Sequence, residues 1–195
     1  DDGSMMRGEQ LSTFAEANGI QIISIQELKE IAPVAKTQAS KDFTWANLPI
    51  AGNNWQITTF TSAFGTEHAV LKFGDIKDQP LVRMHSECLT GDVFGSQRCD
   101  CGEQLSKSIS LIEAAGSGLI IYLRDHEGRG IGLAEKIKAY QLQENGADTV
   151  SANITLGHPV DDRDYQDAIE ILKRLGISAI NLLTNNPIKL SQLLA

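Results

Sequence analysis

Apolar positions in this chain change period several times, and each change marks a different kind of element. Near the N-terminus Leu11, Phe14 and Ala15 recur at i, i+3 and i+4, the spacing of a short helix that Gly19 can close. Residues 20–25 follow as a β-like run, and a second short helix is expected around residues 27–31. Residues 33–42 carry Ala, Lys, Gln and Ser in place of large apolar side chains and read as a linker. From Ile50 onward the pattern is that of strands: residues 55–62, 69–73 and 81–84 are aromatic or β-branched runs separated by turns at Gly65 and Gly74-Asp75. They predict a meander of antiparallel strands that delivers the chain to Cys88.

Beyond the cysteines, Leu105, Ile109 and Ile112 share one face of a helix expected over residues 103–115, stopped by Gly116. Residues 119–123 form a continuous apolar run of the buried-strand type. Leu133, Ile137 and Tyr140 mark a helix ending before Gly146, and Tyr165, Ala168, Ile169, Leu172 and Leu175 mark another ending at Gly176. Residues 180–183 are again an apolar strand. This alternation predicts an α/β protein with α+β elements: N-terminal antiparallel strands leading into a mixed, partly parallel sheet flanked by helices.

Composition adds two exclusions. Of 195 residues, 42% are hydrophobic and 22% charged, as in ordinary soluble globular proteins. A formal charge of -8 argues against nucleic acid or an anionic membrane as a partner, because both need a basic field, so any phosphate site must be local. The chain has no apolar run of membrane-spanning length and no charged-plus-apolar leader, so a cytoplasmic location is expected.

All three cysteines fall in one stretch with the spacing C-x10-C-x-C: Cys88, Cys99 and Cys101. An odd count makes a disulfide framework unattractive, and a C-x-C pair suits disulfide geometry badly. A metal site is the better reading. Structural zinc takes four protein ligands, whereas catalytic zinc takes three and leaves a position for water. Three thiolates point to the open kind.

Four groups of polar residues stand where strands end or helices begin, which is where open α/β sheets bind ligands. Glu87 beside Cys88 is either a solvated carboxylate at a turn or a base next to an activated water. The segment Arg124-Asp-His-Glu-Gly-Arg-Gly-Ile-Gly-Leu133 follows a buried strand and opens a helix, so it is either a phosphate loop aided by Arg129 or a plain helix cap. Asp161 and Asp162, in His158-Pro-Val-Asp-Asp-Arg-Asp164, read as acids at a helix start, with Arg163 as a surface ion pair unless the site needs more of them. In Leu183-Thr-Asn-Asn-Pro-Ile-Lys189, Thr184 and Lys189 either hold a phosphate or base edge or belong to an ordinary loop before a helix started by Pro187.

Taken in order, Arg83-Met-His-Ser-Glu-Cys-Leu-Thr-Gly-Asp92, Arg98-Cys-Asp-Cys-Gly102, Glu127-Gly-Arg129 and Leu183-Thr-Asn-Asn-Pro187 resemble GTP cyclohydrolase II, from roughly residue 43 to the C-terminus. The resemblance implies one Zn2+ on Cys88, Cys99 and Cys101. It implies GTP contacts from Arg83, Met84, His85, Ser86, Glu87, Gln104, Glu127, Gly128, Arg129, Thr149, Thr184 and Lys189. It further implies Asp161 as proton acceptor, Arg163 as nucleophile toward the α-phosphate, Tyr140 near the scissile ring, Mg2+ on the phosphates and a homodimer. The implied reaction turns GTP into formate, pyrophosphate and a diaminopyrimidine ribosylamino phosphate, the first step of riboflavin biosynthesis. Proton transfer to the opened ring would fall to Tyr140 and Glu87. Because a protonated guanidinium is a poor nucleophile, electrostatic stabilisation is the physically safer role for Arg163.

Three departures stand out: Gln97 and Ile188 replace an apolar residue and a lysine, and the chain stops at Ala195 before the family's usual closing segment. Asp1-Asp-Gly-Ser-Met-Met-Arg7, Phe14-Ala15 and Ile25-Gln-Glu-Leu28 resemble the C-terminal tail of dihydroxybutanone phosphate synthase. The expected organisation is therefore a synthase tail over residues 1–32, a linker over 33–42 and a cyclohydrolase domain over 43–195, from a fused chain. The alternative is a non-catalytic scaffold or regulatory domain whose zinc takes His85 or His126 as a fourth ligand.

Overall fold

The computed structural model describes residues 8–24, 27, 43–186, 189 and 190, and the chain divides into two compact units, Asp1–Thr37 and Gln38–Ala195. In the first unit the expected helix forms as α1 (Glu9–Asn18), and Gly19 ends it in the left-handed conformation at φ 64°, its N–H turned back to the carbonyls of Ala15 and Glu16. Residues 20–24 form no strand. Ile20, Ile22 and Ile23 are exposed, and the described residues of this unit include no neighbouring strand to take their backbone hydrogen bonds. Ser24 and Glu27 exchange the two bonds of a capping box, at 2.8 and 3.0 Å. The rest of the expected second helix and the expected linker lie outside the described residues.

The second unit is built on a six-stranded mixed sheet: β1 (Ala46–Ile50), β2 (Asn53–Thr61), β3 (Glu67–Phe73), β4 (Leu81–Ser86), β5 (Gly118–Leu123) and β6 (Asn181–Leu182). Their order is β1-β2-β3-β5-β4-β6. Strand β1 was not expected, because Pro49 interrupts its pattern; as an edge strand it tolerates the missing N–H. Ala51 and Gly52 make the two-residue turn to β2 with φ of 48° and 86°, the backbone twist that a tight hairpin needs.

The antiparallel meander stops at β3. Strand β5 takes the place beside it, and β4 pairs in parallel with β5 and β6. Parallel pairing requires a crossover, supplied by α2 (Leu89–Asp92) and α3 (Cys101–Ala115) between β4 and β5. Alternation along β5 shows why residues 119–123 are apolar throughout. Ile120 faces Trp55 and Ile112 of α3, while Leu119, Ile121 and Leu123 face the other layer. There α6 (Gln166–Arg174) packs Ala168, Ile171 and Leu172 against Val70, Val82 and Met84. Each fully buried aliphatic side chain contributes about 1.5–3 kcal/mol relative to exposure.

Helix α4 (Leu133–Glu144) forms where expected but is rotated about its axis: Lys136 and Ala139 are buried and Tyr140 lines the cleft, while Leu133 and Ile137 are exposed. A further short helix, α5 (Thr149–Thr155), is started by a capping box between Asp148 and Ser151. Asp161 and Asp162 do not begin a helix; α6 starts later, with Tyr165 as its N-cap.

Candidate functional site

Strands β4 and β5 run parallel and end side by side, with Ser86 opposite Leu123. The loops that follow them enclose an open cleft of about 320 Å³, the position and size at which α/β sheets hold small molecules. Its lining includes the three cysteines, Glu127, Tyr140 and Arg163.

The thiol group is assembled by close backbone approach. The chain leaves β4 at Cys88, turns through α2 and returns by Cys99 to begin α3 at Cys101. The three sulfurs lie within 4.8 Å of one another, all as free thiols, and Cys88 and Cys99 are 3.5 Å apart. A Cβ on Gly91 would stand 2.9 Å from the Cys99 sulfur and 3.2 Å from that of Cys88, and one on Gly102 would stand 2.3 Å from the Gly91 carbonyl. Only glycine lets the two segments meet. Asp92 fixes the loop: its carboxylate accepts the Cys88 N–H and His85 Nε2, each at 3.0 Å, and the Tyr122 hydroxyl at 2.8 Å.

Hydrogen bonding from Cys101 is the main cause that holds the Cys88 thiol well below its ordinary range, with the Lys136 ammonium adding to it against the cost of burial; Cys101 is pushed up in return. Three thiols this close cannot all ionise without a cation among them. Soft sulfur donors, three in number and free, fit zinc. Among the described residues the group includes no histidine: His85 is turned to Asp92, and His126 Nδ1 meets Ser86 Oγ at 3.1 Å.

The turn after β5 is strained where it faces the cleft. Gly128, Arg129 and Gly130 all have positive φ, at 62°, 67° and 94°; for Arg129, which has a Cβ, this costs on the order of 1–3 kcal/mol. The Arg129 carbonyl accepts the Asp162 N–H at 2.9 Å, and a Cβ on Gly130 would come within 3.1 Å of Asp162. The strained turn thereby clamps the segment that carries Asp161 and Arg163. Those two form a bidentate pair at 2.8 and 2.5 Å, largely buried, with Arg163 Nη1 reaching Ser86 Oγ at 3.4 Å. The surface ion pair expected for Arg163 is thus an inward-facing one.

A second layer lies beneath the floor of the cleft. Arg83 donates to Gln104 Oε1 at 2.5 Å and to the Leu183 carbonyl at 3.2 Å. Buried Lys189 donates to the Met84 carbonyl at 2.8 Å, and burial, followed by the nearby Arg83 and Arg163, pushes its pKa down to about 7. Thr184 Oγ1 accepts the Asn186 N–H. The Met84 side chain sits wholly in the core, and His85 is 1% exposed. Of the other expected residues, Ser86, Glu87, Gly128, Arg129 and Thr149 line the cleft. Glu87 accepts the Asp125 N–H at 3.1 Å, and the Tyr140 hydroxyl meets Thr90 Oγ1 at 3.2 Å.

Sequence reasoning missed Lys136, Thr90, Asp92 and Tyr165 as members of this network. Lys136 and Tyr140 stand at i, i+4, and that pairing was the available signal. His126, raised only as a fourth ligand, is pushed down to about 4, chiefly by burial, so it is neutral at physiological pH.

Fold and site together define an α/β protein with a three-thiol group able to hold a metal in the lining of an arginine-bearing cleft. The chain belongs to the GTP cyclohydrolase II family, whose model matches residues 41–195. It is 46% identical over 192 residues to the probable bifunctional riboflavin biosynthesis protein RIBA 2, chloroplastic, of Oryza sativa subsp. japonica, covering 97% of this chain and 34% of that protein. It is 46% identical to the riboflavin biosynthesis protein RibBA of Phocaeicola vulgatus, with 97% and 47% covered. Against RibBA of Nocardia farcinica the identity is 45% over 200 residues, with 97% and 46% covered. The chain spans about half the length, or less, of these curated relatives. No described helix is long and apolar enough to cross a membrane.

Proposed function

We propose that this chain hydrolyses GTP to formate, pyrophosphate and 2,5-diamino-6-hydroxy-4-(5-phosphoribosylamino)pyrimidine, the first step of riboflavin biosynthesis. The observation that carries the proposal is the joining, in one cleft, of a three-thiol group with an inward-facing arginine. Cys88, Cys99 and Cys101 would hold zinc, which lowers the pKa of water to about 7 and so supplies a nucleophile for C8 at neutral pH.

The other residues act from the chain itself. Glu87, next to Cys88 in sequence, and Tyr140, whose hydroxyl meets Thr90, both line the cleft and are suited to move protons at the opening ring. Burial, the largest single effect, pushes the Asp161 carboxyl up, but the hydrogen bonds and charge of Arg163, with the charge of Arg129, together hold it below its ordinary range, and it orients the guanidinium. Arg163 remains a cation that stabilises charge on the α-phosphate rather than attacking it. Arg129, with Lys189 below, adds the local positive field that a chain of net charge -8 lacks as a whole. The remaining GTP contacts we assign to Arg83, the Met84 and His85 backbone, Ser86, Gln104, Glu127, Gly128, Thr149 and Thr184, with Mg2+ on the phosphates.

We extend the proposal to a cytoplasmic homodimer fused to a dihydroxybutanone phosphate synthase, with residues 1–32 as its tail, 33–42 as linker and 43–195 as the cyclohydrolase domain. In support, alignments with RibBA relatives cover 97% of this chain and so extend into the first forty residues, ahead of the family match. Incubation with GTP and Mg2+ should release formate and pyrophosphate in equal amounts; pyrophosphate without formate, or neither product, rejects the activity.

Lys189 gives a pH-dependent prediction. Its pKa of about 7 in the free protein rises toward 10.5 when a phosphate lies near, so binding takes up a proton between those values and affinity falls as pH climbs through them. Calorimetry of GTP binding at pH 8, in buffers of different ionisation enthalpy, should show this uptake. Lys189→Met should abolish it.

A further inference from the structure

We propose that Lys136 is the positioning residue of the metal site: its ammonium clamps the Cys88 sulfur and, through Glu127, locks the loop after β5 to the loop after β4. This inference rests on the reading that the three thiols hold zinc.

Lys136 is only 8% exposed, and its ammonium meets three acceptors: Cys88 Sγ at 3.1 Å, Thr90 Oγ1 at 2.9 Å and Glu127 Oε1 at 2.5 Å. All three protons of the ammonium are therefore used. The other oxygen of Glu127 accepts the N–H of Leu89, the residue after Cys88, at 2.6 Å. A closed ring results, running from Cys88 to Leu89, across to Glu127, to Lys136 and back to the Cys88 sulfur. A Cβ on Gly128 would stand 3.0 Å from the Lys136 Cβ, so the turn is drawn tight against α4.

Packing alone does not account for this arrangement. Leu133 and Ile137 of the same helix are 39% and 45% exposed while the lysine is turned inward. Burying a cation costs free energy that only its partners offset. A charge-assisted N–H bond to a ligating sulfur draws electron density from that sulfur and fixes its direction, as partners behind metal ligands commonly do. The same lysine shares Thr90 with the Tyr140 hydroxyl, so thiol loop, turn and cleft wall are held in one register.

The test compares the wild-type chain with Lys136→Met and Lys136→Gln, each loaded with zinc or with Co2+. Zinc affinity, measured by chelator competition, should fall about 10- to 100-fold in the methionine variant. The thiolate-to-cobalt charge-transfer band should shift to lower energy, because the sulfur loses a donor. A purely structural role would lower the unfolding midpoint and leave the band in place. If Lys136→Met does not fold, Lys136→Gln carries the same test, with at least about a tenfold loss of affinity and the same direction of band shift. Unchanged affinity and band in a folded variant overturn the inference. Absence of zinc binding by the wild-type chain instead overturns the zinc reading itself.

Discussion

Cys99→Ser should reduce bound zinc from one equivalent to near none and lower formate release from GTP by at least about a thousandfold, a loss of several kcal/mol at about 1.36 kcal/mol per factor of ten. A serine hydroxyl is a hard, protonated donor at neutral pH and does not substitute for a thiolate. Cys99 is the suitable position because it lies on the connecting loop, only part-buried, and packs no core cluster. The sheet should persist, so far-UV dichroism stays near wild type while metal analysis and the formate assay change together.

Arg163→Met should leave zinc in place yet lower turnover by about a hundred- to a thousandfold, the usual cost of removing one preorganised charge-stabilising donor. Arg163 and Asp161 are 15% and 18% exposed at their side chains, so the single variant also strands a largely buried carboxylate and lowers the unfolding midpoint. Adding Asp161→Asn removes that carboxylate's charge: thermal stability should recover while activity stays low. Recovery of activity along with stability would mean that the pair only holds the 160–163 segment. Metal analysis of both variants separates this end of the site from the cysteines.

How far the sequence revealed these features depended on whether a residue's pattern matched its environment. Strands β2, β3 and β5 were legible as aromatic, β-branched or continuous apolar runs, and helix α3 because its apolar positions keep a period of 3.6; most of these side chains are buried or partly buried. Sheet order was not: nothing local says that β5 inserts between β3 and β4. Residues 20–24 have strand-like side chains but no partner strand among the described residues of their unit, and propensity without a ladder makes no strand.

At the site, Cys88, Cys99 and Cys101 were legible because three thiols spaced C-x10-C-x-C suit a metal and suit a disulfide badly, and the structure brings the sulfurs together. Lys136 was not, since a lysine on an amphipathic helix ordinarily marks the solvent face, and here the helix turns that face inward to reach a sulfur and two oxygens. By position alone Asp161 and Arg163 were visible only as helix-start acids and a surface pair; the family resemblance was what assigned them to the site. Their inward orientation comes from the backbone bond between Asp162 and Arg129, a contact across 33 positions that no short-range pattern contains.

On the proposed function, the cysteine group and the arginine-bearing cleft act together on one bound GTP, with zinc serving the C8 end. This joint action is tested most directly by following formate from GTP labelled with 13C at C8 by NMR, using protein stripped of metal and then titrated with zinc in the presence of Mg2+. No labelled formate should form without zinc, and the rate should rise to a plateau at one zinc per chain. Formate release that ignores zinc, or none at any zinc level from folded protein that binds GTP, contradicts the proposed function.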